Sequence, residues 1–157
     1  MDNLEEQVLV SLRRIIRATD IHSRKLAKDT GLTTPQLVIV RAVAQSDGPT
    51  VSDIARSVSL SQATVTTLLN KLETKGLVSR KRSEEDRRRV NVFLTPDGRA
   101  LLETAPEPLQ EQFSGRFRKL ETWEQHQLVA SLERIANMMD AEELDAAPLL
   151  ATGEDVG

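Results

Sequence analysis

The chain has 157 residues, 39% hydrophobic and 29% charged but only 3% aromatic, which suits one helical domain with extensions better than a β-sandwich or barrel. It has no Cys and only two His, His22 and His126, which excludes disulfides, thiolate metal sites, a cysteine nucleophile and a His-rich metal centre. The net charge of −3 hides an asymmetry: residues 50–95 carry nine basic against five acidic side chains, and residues 96–157 carry five against thirteen, so a local anion-binding surface is expected in the middle of the chain. No apolar run approaches membrane-spanning length and the N-terminus has no signal-type hydrophobic region, so the expected location is the cytoplasm, with no membrane partner.

Leu4, Val8, Leu12, Ile15 and Ile16 recur at three- and four-residue steps and predict a long first helix over 4–28, ended by Gly31. Thr34-Pro35 opens a second, very apolar helix over about 35–46, with Thr34 as its cap and Pro35 at a position where the missing N–H has no partner. Ser46-Asp47-Gly48-Pro49 is a turn signal. Thr50-Val51-Ser52-Asp53 is a capping box opening a short helix over 51–57. Ser61 then caps a longer helix over 62–75. Its apolar residues Val65, Leu68, Leu69 and Leu72 form one narrow stripe, and Lys75-Gly76 closes it.

Next the period changes. Residues 77–80 and 90–94 read as two short strands, with the charged run 81–89 as the hairpin tip between them. Thr95-Pro96 opens another helix, which Pro106 and Pro108 should kink or interrupt. Thr122-Trp123-Glu124-Gln125 is a second capping box, opening a final helix to about Met139. Residues 141–157 are acidic and aperiodic and read as a disordered tail.

Two helices joined by a tight turn, the second with a small, polar face opposite its apolar stripe, make a helix-turn-helix. Gln62, Ala63, Thr64, Thr66, Thr67, Asn70 and Lys71 supply short side chains and hydrogen-bonding groups suited to a major groove about 12 Å wide. The wing that follows gathers Arg80, Lys81, Arg82, Arg87, Arg88 and Arg89 within ten residues, partly offset by Glu84, Glu85 and Asp86. A guanidinium on a projecting tip suits the negative potential of the minor groove. A solvated charged loop is the bland alternative, and its place directly after a recognition-type helix favours the nucleic-acid reading.

On these residues the chain resembles the MarR family of bacterial transcriptional regulators. The likeness covers residues 32–102: Thr64-Val65-Thr66, then Leu72-Glu73-Thr74-Lys75-Gly76-Leu77-Val78, then Asp86-Arg87-Arg88, then Leu94-Thr95-Pro96-Asp97-Gly98. The resemblance implies a mainly α winged helix-turn-helix homodimer with a two-stranded β-wing, binding a near-palindromic operator in double-stranded DNA. It implies Arg88 as the minor-groove arginine and Asp86 as the residue that orients the wing. Residues 22–26 and 31–37 are also similar to a subgroup regulating compatible-solute (ectoine-type) genes. The division expected is a dimerisation helix over 1–33, the winged DNA-binding domain over 34–97, C-terminal dimerisation helices over 98–140 and the acidic tail. Repression is the expected action, though its sign depends on where the operator lies relative to a promoter.

In this family small ligands bind near the junction of the two lobes, which makes His22 and Arg41 the candidate effector-binding residues. For both, an ordinary structural role is the weightier reading: a surface or hydrogen-bonded His22 and a snorkelling or salt-bridged Arg41. Phe113, Phe117, Met138 and Met139 read as interface packing, and Trp123 as a packing residue. No catalytic Ser–His–Asp spacing, phosphate-binding Gly-rich loop or metal cluster is legible, so neither an enzyme nor a cofactor is expected. The competing reading is a winged-helix protein-interaction adaptor that does not bind DNA, for which the basic wing would have little use.

Overall fold

The computed structural model describes residues 3–141 and residue 144. Helix α1 (Leu4–Thr30) starts where the Asn3 side chain accepts the Glu6 N–H, and ends at Gly31, whose φ of 70° closes it in the left-handed region. It runs two residues past the expected 28. Helix α2 (Thr34–Ala44) is capped by Thr33 rather than Thr34. Three residues after Thr33 stands Gln36, which closes the box: Gln36 N–H donates to Thr33 Oγ1 at 3.4 Å and Thr33 N–H donates to Gln36 Oε1 at 3.1 Å. Three after Thr34 stands Leu37, which has no acceptor. As its composition requires, α2 buries Leu37, Ile39, Val40 and Val43.

Helix α3 (Val51–Val58) opens on the expected box, with Thr50 N–H on Asp53 Oδ2 at 3.0 Å and Asp53 N–H on Thr50 Oγ1 at 3.1 Å. Helix α4 (Gln62–Thr74) is capped by Ser61. It ends in a paired turn, Leu77 N–H on Leu72 O at 3.0 Å and Gly76 N–H on Glu73 O at 2.9 Å, with Gly76 at φ 73°. Lys75 Nζ donates to Gly31 O at 2.7 Å and to Gln36 Oε1 at 3.3 Å, which pins the end of α4 to the α1–α2 junction.

Strands β1 (Val78–Arg82) and β2 (Val90–Leu94) pair antiparallel, Val78 opposite Leu94 and Arg82 opposite Val90. The first strand therefore starts one residue later than expected and takes in Lys81 and Arg82, which belong to the ladder and not to the tip. The turn at 46–49 continues onto the sheet: Thr50 bridges Asn91, Val92 N–H donates to Pro49 O at 2.9 Å, and Asn91 Nδ2 donates to Gly48 O at 2.5 Å.

Helix α5 (Pro96–Thr104) packs its first turn on the end of α4. Thr95 Oγ1 donates to Gly76 O at 2.6 Å, and Thr95 N–H donates to Leu77 O at 3.0 Å. Gly98 lies so close that a Cβ there would sit 2.1 Å from Leu77 O. The segment carrying Pro106 and Pro108 interrupts the helix as expected, and a separate α6 (Leu109–Phe117) follows. Helix α7 (Thr122–Met138) is capped one residue earlier than expected, at Glu121, whose N–H is taken by Glu124 Oε2 at 2.9 Å. Gln125, instead of closing a box, donates its amide to Phe117 O and Leu120 O.

One hydrophobic core joins α2, α3, α4 and the sheet through Ile39, Val40, Ile54, Val65, Leu69, Leu72 and Val92, all at most 1% exposed. Helices α6 and α7 place no residue in it, and α1 contributes Leu26 and Thr19 as its buried residues. Along these three helices Leu4, Ile15, Ile16, Phe113, Trp123, Leu132 and Met138 stay more than half exposed. The acidic tail expected over 141–157 lies outside the described residues, apart from Ala141 and Leu144.

Candidate nucleic-acid interface

Helix α4 rests on the core by Val65, Leu68, Leu69 and Leu72, none more than 2% exposed. Burying each such side chain contributes roughly 1.5–3 kcal/mol, so the stripe fixes the helix about its own axis. The opposite face is thereby committed to solvent: Gln62, Ala63, Thr66, Thr67 and Asn70 are exposed, and Thr64 and Lys71 are half-buried at its margins. Several of these groups are already oriented. Gln62 Nε2 donates to Ser52 Oγ at 3.3 Å, Thr64 Oγ1 lies 2.9 Å from Ser61 Oγ, and Thr67 Oγ1 donates to Ala63 O at 3.1 Å.

The wing tip is folded by its own backbone and one carboxylate. Ser83 N–H donates to Arg89 O and Arg89 N–H donates to Asp86 O, both at 2.9 Å. Asp86 Oδ1 accepts the Arg88 N–H at 3.0 Å, and Asp86 N–H donates to Ser83 Oγ at 3.3 Å. The loop so closed leaves Arg87, Arg88 and Arg89 exposed. Of the strand cations, Arg82 is exposed, and Lys81 Nζ lies 5.8 Å from the Phe93 ring centroid.

Arg80 behaves differently from its neighbours. It follows the buried Val78 by two residues and so shares that strand's inward face. Its Nε donates to Glu73 Oε2 at 2.6 Å and its Nη2 to Asn70 Oδ1 at 2.5 Å, leaving the side chain 26% exposed.

Between the start of α3 and the wing runs an open groove of about 360 Å³, lined by Ser52, Asp53, Arg56, Gln62, Arg88 and Arg89 among others. Asp53 is held below the usual carboxylate range, first by the Thr50 backbone N–H, then by the Thr50 hydroxyl, with Arg56 and Arg89 adding to it. Ser52 and Arg56 are not among the residues the sequence points to, and Arg89 is expected there only as one of the clustered wing cations. Ser52 read only as part of a capping box, and nothing local marks Arg56 as facing the wing.

The two candidate effector residues are not brought to one pocket. Arg41 lines a hollow of about 140 Å³ with Val38, Ala42, Gln45, Val58, Pro108 and Glu111; His22 does not line it. There Arg41 Nη1 pairs with Glu111 Oε2 at 3.2 Å and Nη2 donates to Pro106 O at 3.4 Å, which ties α2 to α6 and to the loop before it. The Arg41 Nε and His22 Nε2 atoms are buried without a hydrogen-bond partner among the described residues.

Residues 32–90 match the model of the MarR family. The chain is 31% identical over 107 residues to the transcriptional repressor Rv2887 of Mycobacterium tuberculosis, covering 68% of this chain and 77% of that one. Among solved structures it is similar to the S. aureus MepR–DNA complex, with a TM-score of 0.60 and 27% identity over 82% of this chain and 96% of that one. It is also similar to BpsR of Bordetella bronchiseptica, whose DNA binding is regulated by 6-hydroxynicotinic acid, with a TM-score of 0.52 and 28% identity over 83% and 98%. The compatible-solute subgroup is not singled out by these likenesses. With this fold, this wing and these relatives, the chain belongs to the MarR family and is a winged-helix transcriptional regulator.

Proposed function

We propose that the protein represses transcription by binding a near-palindromic DNA operator as a homodimer. The observation that carries this reading is the solvent-committed polar face of α4 beside a wing tip whose three consecutive arginines stand exposed. Gln62, Ala63, Thr64, Thr66, Thr67, Asn70 and Lys71 enter the major groove or flank it, and Arg88 reaches the adjacent minor groove. Asp86 sets the Arg88 backbone by its hydrogen bond, so that the arginine leaves the tip in one direction. Lys81, Arg82 and Arg87 neutralise phosphates.

Residues 34–97 form the DNA-binding unit, and residues 1–33 and 98–140 the dimerisation unit. The apolar residues left exposed on α1, α6 and α7 support this division, because a second copy would cover them across a two-fold axis. A small-molecule effector acts at the Arg41 hollow, where displacing Glu111 from the guanidinium would loosen the tie between α2 and the dimerisation helices. Such a regulator works in the cytoplasm, and among the described residues no helix is long and apolar enough to cross a membrane.

Genome-wide mapping of the bound DNA, with transcript levels in a deletion strain, tests this reading. It predicts an inverted repeat shared by the bound sites, at promoters whose transcripts rise on deletion. No recovered DNA above background would support the adaptor reading, and falling transcripts would make the protein an activator. Genes for osmotic adaptation are the first targets to inspect, because of residues 22–26 and 31–37.

A further inference from the structure

We infer that Arg80 is a positioning residue that turns the Asn70 amide donor-first into the major groove, so that α4 selects guanine at the base step facing Asn70. The inference rests on the DNA-binding reading above and deepens it.

A guanidinium carries only donors. The Asn70 atom facing Arg80 Nη2 at 2.5 Å must therefore be the carbonyl oxygen, and the amide NH₂ must face away. Nothing else on the helix would fix this: Asn70 is exposed, and a free side-chain amide turns over readily. Arg80 is itself held. Its inward strand position limits its side chain to 26% exposure, and Glu73 Oε2 takes its Nε at 2.6 Å. Asn70 and Glu73 are three apart on α4 and lie side by side, so the guanidinium spans both. Glu73 also offsets its charge, which makes Arg80 unlike the exposed cations of the tip.

The consequence follows from base chemistry. Guanine shows two adjacent acceptors in the major groove, N7 and O6; adenine shows one acceptor and an amino donor; cytosine shows an amino donor. The usual asparagine contact with adenine needs the amide oxygen to accept from that amino group. Here the oxygen is turned toward Arg80 and away from the side the NH₂ presents, and a cation beside its remaining lone pair repels amino hydrogens. An NH₂ donor backed by a guanidinium fits guanine, at a preference of about tenfold over adenine and more over cytosine.

The test is selection of bound duplexes from a random pool by the full-length protein and three variants. Wild type should enrich an inverted repeat with guanine at one position of each half-site. Asn70→Ala should lose the preference there and nowhere else. Asn70→Asp keeps the shape and the Arg80 pairing but offers only acceptors, so that position should turn to cytosine. Arg80→Met frees the amide, so adenine should rise to parity with guanine at the same position. A merely structural role for Arg80 would lower affinity without changing one base preference. The inference is overturned if Arg80→Met leaves every position as in wild type, or if Asn70→Ala changes none. A wild-type protein that enriches no motif would instead refute DNA reading itself, before any variant is compared.

Discussion

Replacing Gly98 by Ala should destabilise the protein strongly, although Ala is the better helix former. A Cβ at residue 98 would stand 2.1 Å from Leu77 O and 3.1 Å from Leu77 C, both backbone atoms that no rotamer change can move. Relief requires α5 to lift by more than 1 Å, roughly the shortfall from a normal carbon–oxygen contact. That movement stretches the two bonds that dock the helix, Thr95 Oγ1 on Gly76 O at 2.6 Å and Thr95 N–H on Leu77 O at 3.0 Å. Losing both costs about 1–3 kcal/mol, overpacking adds about 1–3 kcal/mol, and helix propensity returns about 1 kcal/mol. The net loss is about 1–5 kcal/mol, which lowers Tm by roughly 3–15 °C in a chain of this size. Thermal melts of wild type, Gly98→Ala and Gly76→Ala at one protein concentration read it out. Gly76 has open space around it and is strained only through its φ of 73°, so its substitution should cost about 1–2 kcal/mol. A Gly98→Ala protein that melts at or above the wild-type temperature would refute the close-approach reasoning.

Arg82→Ala should weaken operator and scrambled duplex alike and lower the salt slope by about 0.9 per half-site, whereas Arg88→Ala should lose most where the flanking minor groove is narrow; titrations at several salt concentrations separate the two. Leu132→Asp puts a charge on the exposed apolar face of α7 and should weaken self-association by about tenfold or more, visible as monomer in sedimentation at concentrations where wild type is dimeric. Asp53, with its folded pKa lowered, contributes stability that is complete above its unfolded value and lost as pH falls through the folded one. Thermal melts into the acid range should therefore show a shallower acid-side loss for Asp53→Asn than for wild type; parallel curves would remove Asp53 from the account. Arg41→Ala removes the tie to Glu111 that the effector would break, so it should weaken operator binding by itself and show no further release when the cognate effector is added to the preformed complex; release by effector as in wild type would rule out the Arg41 hollow.

Local chemistry made most of the fold legible. Thr50 with Asp53, Ser61, Gly76 and the Thr95-Pro96 pair mark helix ends through bonds spanning three or four residues, and the Val65 to Leu72 stripe marks the buried side of α4. Adjacent candidates were harder. Thr33 and Thr34 are equal as caps until Gln36 is seen to close the box from one of them. Long-range pairing was not legible. Lys81 and Arg82 look like loop residues by charge, and it is the ladder to Asn91 and Val90 that draws them into β1. The inward turn of Arg80 depends on α4 lying under the sheet, so a count of wing cations misplaces it with the exposed ones. The groove formed by Ser52, Arg56 and Arg89 needs α3 and the wing side by side, contacts that no local pattern records.

Sequence-selective binding of duplex DNA by α4 and the wing can be measured by titrating the full-length protein against the duplex it selects and against a scrambled duplex of equal length at physiological salt. The selected duplex should bind tighter by at least about 10³-fold, with Arg88→Ala removing much of that margin. Equal affinity for the two duplexes, or no binding to either, would contradict sequence-selective binding.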